Sequence, residues 1–199
     1  MKLLREESRL YISHGNRKMQ KRFMVFNLPH KITCPGRTPL CESICYARKA
    51  EAAYPDCYPS RLRNLDASKM PDFVDAVYNH IKRNAARRPF FRIHESGDFY
   101  SQEYLDKWIE IARMCQNVKF LAFTKSFALD FSNIPANMQI VWSIMPDTDM
   151  TTVPSGPRAY AGACQGMPEN VLECPGTCNE CGMCWQLGKF GLDVHFEIH

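Results

Sequence analysis

The chain lacks any long hydrophobic run. Its longest apolar stretches, residues 119–123 and 139–145, have the length of a β-strand, whereas a membrane-spanning helix needs about 20 consecutive apolar residues. The N-terminus, Met-Lys-Leu-Leu-Arg-Glu-Glu-Ser, also lacks the apolar core of a secretion signal. We therefore expect no membrane partner and a location in a reducing cytoplasm.

The chain also lacks low-complexity tracts and long linkers. Its 199 residues suit one ordinary domain with a buried core. Hydrophobic residues make up 45% of the sequence, which excludes a wholly disordered chain. We therefore predict a single domain over residues 1–199.

The chain has no excess of positive charge outside the N-terminus. Residues 1–23 hold seven Lys or Arg against two Glu, whereas the rest of the chain holds 18 basic and 19 acidic residues. A basic arm of this kind can contact phosphate, which makes nucleic acid a candidate partner. The arm can equally be a solvated leader, and with so few charges we favour that interpretation.

The hydrophobic pattern alternates between strands and helices. Strands are predicted over residues 22–27, 89–94, 118–123 and 138–144, with a last strand after Gly191. One predicted helix follows Pro71, with an apolar stripe that includes Phe73, Val77 and Ile81, and a second is capped by Ser101. Alternation of this kind favours βα units and a largely parallel sheet.

This pattern places the chain in the α/β class. There are too few units for an eight-fold barrel, so a partial or reduced (βα) barrel is preferred and an open α/β sheet comes second. Residues 31–60 and 160–190 are rich in Cys, Pro and Gly. We interpret both as irregular segments that metal ligation organises.

Cysteine is abundant. The chain holds ten, and four of them, Cys174, Cys178, Cys181 and Cys184, form a C-x3-C-x2-C-x2-C pattern within eleven residues. This spacing suits four thiolates around a [4Fe–4S] cluster. A zinc site usually has two Cys pairs separated by a longer span, so zinc is the weaker alternative, followed by disulfides or unligated thiols.

A second group near the start contains Cys34, Cys41 and Cys45. It opens with the same Cys-Pro-Gly turn that begins at Cys174, and we predict a second [4Fe–4S] cluster there. Because Cys115 lies on the apolar stripe of the Ser101 helix, we assign it to the core. The fourth ligand is then Cys164 or Cys57. Cys164 is slightly preferred because it would tie distant segments together.

Polar side chains follow three of the predicted strands. Arg92, His94, Glu95 and Asp98 surround the end of one strand, Lys125 follows the next, and Asp147 and Asp149 follow a third. The carboxyl ends of parallel strands usually carry the chemistry of an α/β protein. The candidate catalytic residues are therefore Arg92, His94, Glu95, Asp98 and Lys125. The alternative is a hydrogen-bonded network that closes the sheet edge.

Several motifs together resemble the phage gene product 88 family. They are Cys-Pro-Gly-x-Thr from Cys34, Phe-Arg-Ile-His-Glu-Ser-Gly-Asp from Phe91, Phe-Thr-Lys-Ser from Phe123, and the terminal Cys-rich run. The resemblance spans nearly the whole chain. It implies a bacteriophage origin, and hence the cytoplasm of a bacterial host, and an iron–sulfur protein with a radical-SAM-like barrel.

Three functions are therefore open. The leading one is a redox or oxidant-sensing protein with two [4Fe–4S] clusters and an unidentified electron donor or acceptor. The second is a radical SAM-type enzyme. Two features argue against S-adenosylmethionine as a cofactor. The Cys-x3-Cys-x2-Cys match lies at the C-terminus, and Cys184 can bind the fourth iron. The third is a cluster-stabilised protein that binds nucleic acid through residues 1–23.

Overall fold

The computed structural model describes residues 10–16, 19 and 22–198. The strands are β1 (Ile12–Ser13), β2 (Phe23–Phe26), β3 (Phe90–Ile93), β4 (Lys119–Thr124), β5 (Met138–Ile144), β6 (Arg158–Ala161), β7 (Leu172–Glu173) and β8 (Val194–Phe196). The helices are α1 (Pro39–Ser43), α2 (Tyr46–Ala53), α3 (Cys57–Ser68), α4 (Phe73–Asn84), α5 (Gln102–Met114), α6 (Cys178–Cys181) and α7 (Leu187–Phe190). Within these residues, no helix combines the length and the apolar character needed to cross a membrane.

The strands form one sheet in the order β1-β2-β3-β4-β5-β6-β8-β7. β1 runs antiparallel to β2, and every other neighbouring pair is parallel. The register sets Phe26 opposite Ile93 and Arg92 opposite Leu121. The prediction of an α/β fold with a largely parallel sheet is confirmed.

The two long amphipathic helices form where the sequence predicts them. In α4, the stripe Phe73, Val77 and Ile81 is buried, so the helix can pack on the sheet through one face. At the start of α5, the Ser101 hydroxyl accepts a hydrogen bond from the Tyr104 N–H at 3.2 Å. This cap satisfies one of the backbone donors that a helix start leaves unpaired.

The sheet is covered on both faces by separate hydrophobic cores. Successive residues of a strand point to opposite faces, so Met24 and Phe26 enter one core while Phe23 and Val25 enter the other. The first core, called here the helix-side core, contains residues of α4 and α5. The second, called the inner core, contains Trp185 and Leu187 from the C-terminal segment. Burial on both faces explains why β2 is apolar throughout, as is usual in parallel sheets.

The prediction that residues 31–60 are irregular is wrong. This stretch contains α1, α2 and the first turn of α3. The Thr38 side chain caps α1 by accepting from the Cys41 N–H at 3.1 Å, and Pro39 follows it in the first turn. α2 reads Tyr-Ala-Arg-Lys-Ala-Glu-Ala-Ala, which is rich in strong helix formers.

The second segment, residues 160–190, is also more regular than predicted. It includes the end of β6, the short strand β7 and the one-turn helices α6 and α7. The sequence pattern did not predict β6, because this strand is four residues long and lies between Pro157 and Gly162. Its pairing with β5 and β8 buries Ala159 and Tyr160 and makes it part of the parallel sheet.

Candidate functional site

The C-terminal cysteine group consists of Cys174, Cys178, Cys181 and Cys184. Cys174 follows β7, and its N–H donates to the carbonyl of His195 at 3.0 Å. Cys178 and Cys181 begin and end α6, and Gly182, with φ of +60°, turns the chain towards Cys184. All four cysteines line one small pocket together with Trp185. The structure therefore brings the whole predicted set to one place.

The thiols of this group interact electrostatically. The pKa of the Cys184 thiol is raised to about 12, chiefly by burial. Nearby Arg92 lowers it, whereas Cys174, Cys178 and Cys181 raise it further. A thiolate here would be stabilised by a cation and destabilised by its neighbours. A positively charged metal centre would relieve that repulsion and displace the protons.

The N-terminal cysteine group consists of Cys34, Cys41 and Cys45. Cys34 is in the loop after β2, Cys41 is within α1, and Cys45 immediately precedes α2. Burial raises the pKa of the Cys34 thiol to about 12, and Asp98, Cys41 and Cys45 add smaller contributions in the same direction. The structure thus brings these three thiols within electrostatic range of one another.

The two candidates for a fourth ligand have other surroundings. Cys164 follows β6, and its thiol lies 3.3 Å from the Ala161 carbonyl; burial raises its pKa, and its charged neighbours are Asp147 and Lys125. Cys57 begins α3 beside Arg61 and Glu51. The choice between Cys164 and Cys57 stays a prediction. Cys115 is buried in the helix-side core, as predicted.

All ten cysteines lie in the described part of the chain, and none forms a disulfide. Within residues 10–16, 19 and 22–198, no three His, Cys, Asp or Glu side chains are grouped closely enough to hold a single metal ion. Around one zinc ion, four sulfurs would lie roughly 3.8 Å apart, given Zn–S bonds of about 2.3 Å. This short sulfur–sulfur separation is required where one ion binds all four thiolates. In a cluster, each thiolate binds a different iron instead.

The N-terminal cysteine segment lies on the carboxyl ends of the parallel strands. The Leu40 N–H donates to the Asp147 carboxylate at 2.8 Å, and the Asp98 N–H donates to the Thr33 carbonyl at 3.1 Å. Gly36 packs so closely on the loop after β4 that an added Cβ would lie 1.9 Å from the Lys125 carbonyl oxygen. Only glycine fits there, which explains the glycine of the first Cys-Pro-Gly turn.

Asp98 joins the ends of β3 and β4. Its carboxylate accepts hydrogen bonds from the Thr124 hydroxyl at 2.6 Å, the Phe99 N–H at 2.7 Å and the Lys125 N–H at 2.8 Å. Burial raises its pKa, and these hydrogen bonds oppose the rise. Lys125 itself donates from Nζ to the Ser143 hydroxyl at 3.0 Å. These contacts match the alternative of a network that closes the sheet edge.

His94 packs on the side of the sheet opposite to the C-terminal cysteine group. Its backbone has a φ of +65°, an uncommon conformation for a residue other than glycine. Its Nε2 lies 2.8 Å from the Tyr104 hydroxyl, and its ring packs against Phe99 and Tyr104. Burial, with a smaller contribution from Arg92, lowers the pKa of His94 to about 3. The structure thus places this candidate catalytic residue against the helix-side core rather than with the cysteines.

Arg92 interacts electrostatically with residues of both cysteine segments. The electrostatic neighbours of Arg92 include Cys178 and Cys184 as well as Glu95 and Tyr46, the residue after Cys45. The Tyr46 hydroxyl donates to the Glu95 carbonyl. Tyr46 was not among the residues predicted for the site, although its position directly after Cys45 was a usable signal.

A buried charge network in the N-terminal segment was also missed by sequence reasoning. The Glu51 carboxylate accepts from Arg61 Nη1 at 2.6 Å and lies 2.5 Å from His30 Nδ1. The side chains of Arg61 and Glu51 are 8% and 6% exposed. These residues are 10 to 31 positions apart in the sequence, and no local pattern pairs them.

Most of the predicted basic arm lies outside the described residues. Arg22 is described, and its guanidinium lies 5.1 Å from the centre of the Phe90 ring. Lys2, Arg5, Arg9, Arg17, Lys18 and Lys21 lie outside. The prediction of nucleic-acid contact by this arm stays a prediction.

Comparison with known proteins gives a family. No solved structure matches the chain. It is similar to the Gene 88 protein of Mycobacterium phage L5, with 26% identity over 187 residues that cover 76% of this chain and 77% of that protein. It is also similar to the Gene 88 protein of Mycobacterium phage D29, with 30% identity over 104 residues that cover 47% and 42%. The gene product 88 family model matches residues 1–187, and the chain therefore belongs to the gene product 88 family.

Proposed function

We propose that this phage-family protein binds two [4Fe–4S] clusters and passes single electrons or senses oxidants. The observation that carries the proposal is that Cys174, Cys178, Cys181 and Cys184 all line one pocket. Four thiolates at this spacing are a common ligand set for a [4Fe–4S] cluster. The N-terminal group would hold the second cluster through Cys34, Cys41 and Cys45, with Cys164 or Cys57 as fourth ligand.

The surroundings of the cysteines support a metal cluster over disulfides. Both groups are attached to the same parallel sheet, and burial raises the pKa of the Cys34 and Cys184 thiols to about 12, so both are protonated at neutral pH. Iron binding would therefore release protons and add its binding free energy to the stability of both segments. When bound, a cluster supplies one-electron chemistry. This chain's own residues hold it, shield it and set its charge environment.

The topology supports the finer fold assignment, a partial (βα) barrel. Strands β2 to β6 follow one another in the sheet in sequence order and in parallel. Helices α4 and α5 cover one face, while the cysteine-rich C-terminal segment packs on the other. In a partial barrel, that inner face and the carboxyl ends of the strands would form the site.

Alanine variants test the proposal one group at a time. We expect Cys178→Ala to lose about half of the iron of anaerobically purified protein and Cys34→Ala to lose the other half, because each removes one ligand of one cluster. Cys115→Ala is the matched control and should keep all of it. Cys178→Ala should also make residues 160–190 sensitive to limited proteolysis. Equal iron in all three variants would contradict the proposal.

A second candidate function is a radical SAM-type enzyme. The observation in its favour is that Cys34 interacts electrostatically with Cys41 and Cys45, in the segment after the first parallel strand, whereas Cys57 and Cys164 have other charged neighbours. Three ligands would leave one iron open to S-adenosylmethionine. This candidate predicts that S-adenosylmethionine changes the EPR signal of the reduced protein and is cleaved to 5′-deoxyadenosine. The absence of both effects would remove it.

A further inference from the structure

Arg92 occupies a central position on the inner face of the sheet. It lies in β3, opposite Leu121 of β4. Its guanidinium lies 4.0 Å from the centre of the Phe123 ring, and its Nε donates to the His94 carbonyl at 2.9 Å. These two contacts fix the plane and the direction of the guanidinium.

The guanidinium interacts electrostatically with two residues of the C-terminal cysteine group. Cys178 and Cys184 pack against the inner core, and so does Phe123, over whose ring the guanidinium lies. Both cysteines are among the electrostatic neighbours of Arg92. The ring under the guanidinium and the two thiols therefore pack against the same core, and the cation interacts electrostatically with both thiols.

One carboxylate, that of Glu95, favours the charged form of Arg92 through its electrostatic interaction. Within the described part of the chain, Arg92 forms no ion pair with a carboxylate. Its carboxylate neighbour Glu95 accepts hydrogen bonds from Asn16 at 2.7 Å and from Asn27 at 3.4 Å instead. A cation withdrawn from water is costly unless an anion compensates it. An anionic centre held by Cys178 and Cys184 would add to the compensation that Glu95 gives.

We infer that the fixed positive charge of Arg92 stabilises the reduced form of the C-terminal cluster and raises the reduction potential of that cluster. This inference rests on the proposed function. An added electron makes the cluster more negative, so a nearby cation favours reduction. Arg92 holds no proton or electron in this role and acts only through its charge.

Redox titration of the cluster signal tests the role of the charge. We expect Arg92→Gln to make the reduction potential more negative, with reduction about tenfold less favourable, equivalent to about 59 mV for one electron. Arg92→Lys should restore most of the shift because it keeps the charge. Lys82→Gln is the matched control, since Lys82 also lies over an aromatic ring, 5.8 Å from the centre of Tyr78 on α4, and should leave the potential unchanged.

The outcomes separate the inference from the proposed function. A wild-type protein without iron contradicts the proposed function itself. Iron-loaded Arg92→Gln with a wild-type potential overturns only the role of Arg92. If Arg92→Gln does not load iron, rescue of loading by Arg92→Lys supports a role of charge. Failure of both variants to load overturns it, because the planar guanidinium rather than its charge would then be required.

Discussion

The two cysteine segments are attached to the same sheet by different forces. The C-terminal segment inserts Trp185 and Leu187 into the inner core. The N-terminal segment, over residues 31–60, has Ala47 as its one fully buried apolar residue and is held mainly by hydrogen bonds and ion pairs. The comparison indicates that hydrophobic burial secures one segment, whereas the other depends on polar contacts and, in our proposal, on its cluster.

The largest effect should come from Trp185→Ala. Trp185 packs against Phe23 and Phe90 with ring centres 5.1 and 5.5 Å away, and its indole N–H donates to the Lys119 carbonyl at 3.2 Å. Its loss should lower the free energy of unfolding by about 3–5 kcal/mol, as for other large core aromatics. Urea unfolding measures this change.

The control for Trp185 is a neighbouring exposed aromatic residue. Phe190→Ala removes a side chain that is 52% exposed and should change the free energy of unfolding by less than about 0.5 kcal/mol. Equal effects of the two variants would show that the C-terminal segment is not secured by burial.

The next effect tests the polar attachment of the N-terminal segment. Glu51→Ala leaves the buried Arg61 guanidinium without its carboxylate and should cost roughly 3 kcal/mol, the lower end for a broken buried pair. Limited proteolysis should then cut residues 31–60 first. Cutting elsewhere first would argue that this network does not hold the segment.

The third prediction concerns pH. The pKa of His94 is lowered from 6.5 to about 3, so between these values the unfolded chain binds a proton that the folded protein does not. The contribution of His94 to stability is therefore complete above pH 6.5 and is lost as the pH falls towards 3, by up to about 1.4 kcal/mol per pH unit.

A variant isolates the contribution of His94. Asn tolerates a positive φ, so His94→Asn should fold with the same backbone, and its stability should depend less on pH over that window. Paired unfolding curves of wild type and variant at several pH values give the difference. A difference that does not change with pH would contradict the burial of a neutral His94.

The smallest effect should come from Glu42→Gln, in the same segment as Glu51. Glu42 pairs with Lys31 and Arg37, but its side chain is 37% exposed. Water and salt screen such pairs, so we expect no measurable change in urea unfolding. A loss of unfolding free energy as large as that of Glu51→Ala would mean that burial does not explain the difference between the Glu51 and Glu42 ion pairs.

Local patterns predicted the parts of this fold that are locally determined. The apolar run Met138–Ile144 was identified as a strand, and the stripe of α4 was identified residue by residue. α2 was missed because the prolines and cysteines around it suggested a loop, although its own composition favours a helix. β6 depends on its partners β5 and β8, which are distant in the sequence.

The same distinction applies to the site. The C-terminal cysteines lie within eleven residues, so their meeting in one pocket was predictable. The approach of Arg92 to Cys178 and Cys184 depends on how the C-terminal segment crosses the inner face. His94 could not be assigned from sequence because its backbone φ of +65° accompanies a side chain directed towards α5 rather than the cysteines.

The most direct test of the account is the iron and acid-labile sulfide content of anaerobically purified wild-type protein, with EPR before and after reduction. Two [4Fe–4S] clusters predict about eight iron and about eight sulfide per chain and a signal that appears on reduction. A colourless preparation that contains zinc, or no metal, would contradict it.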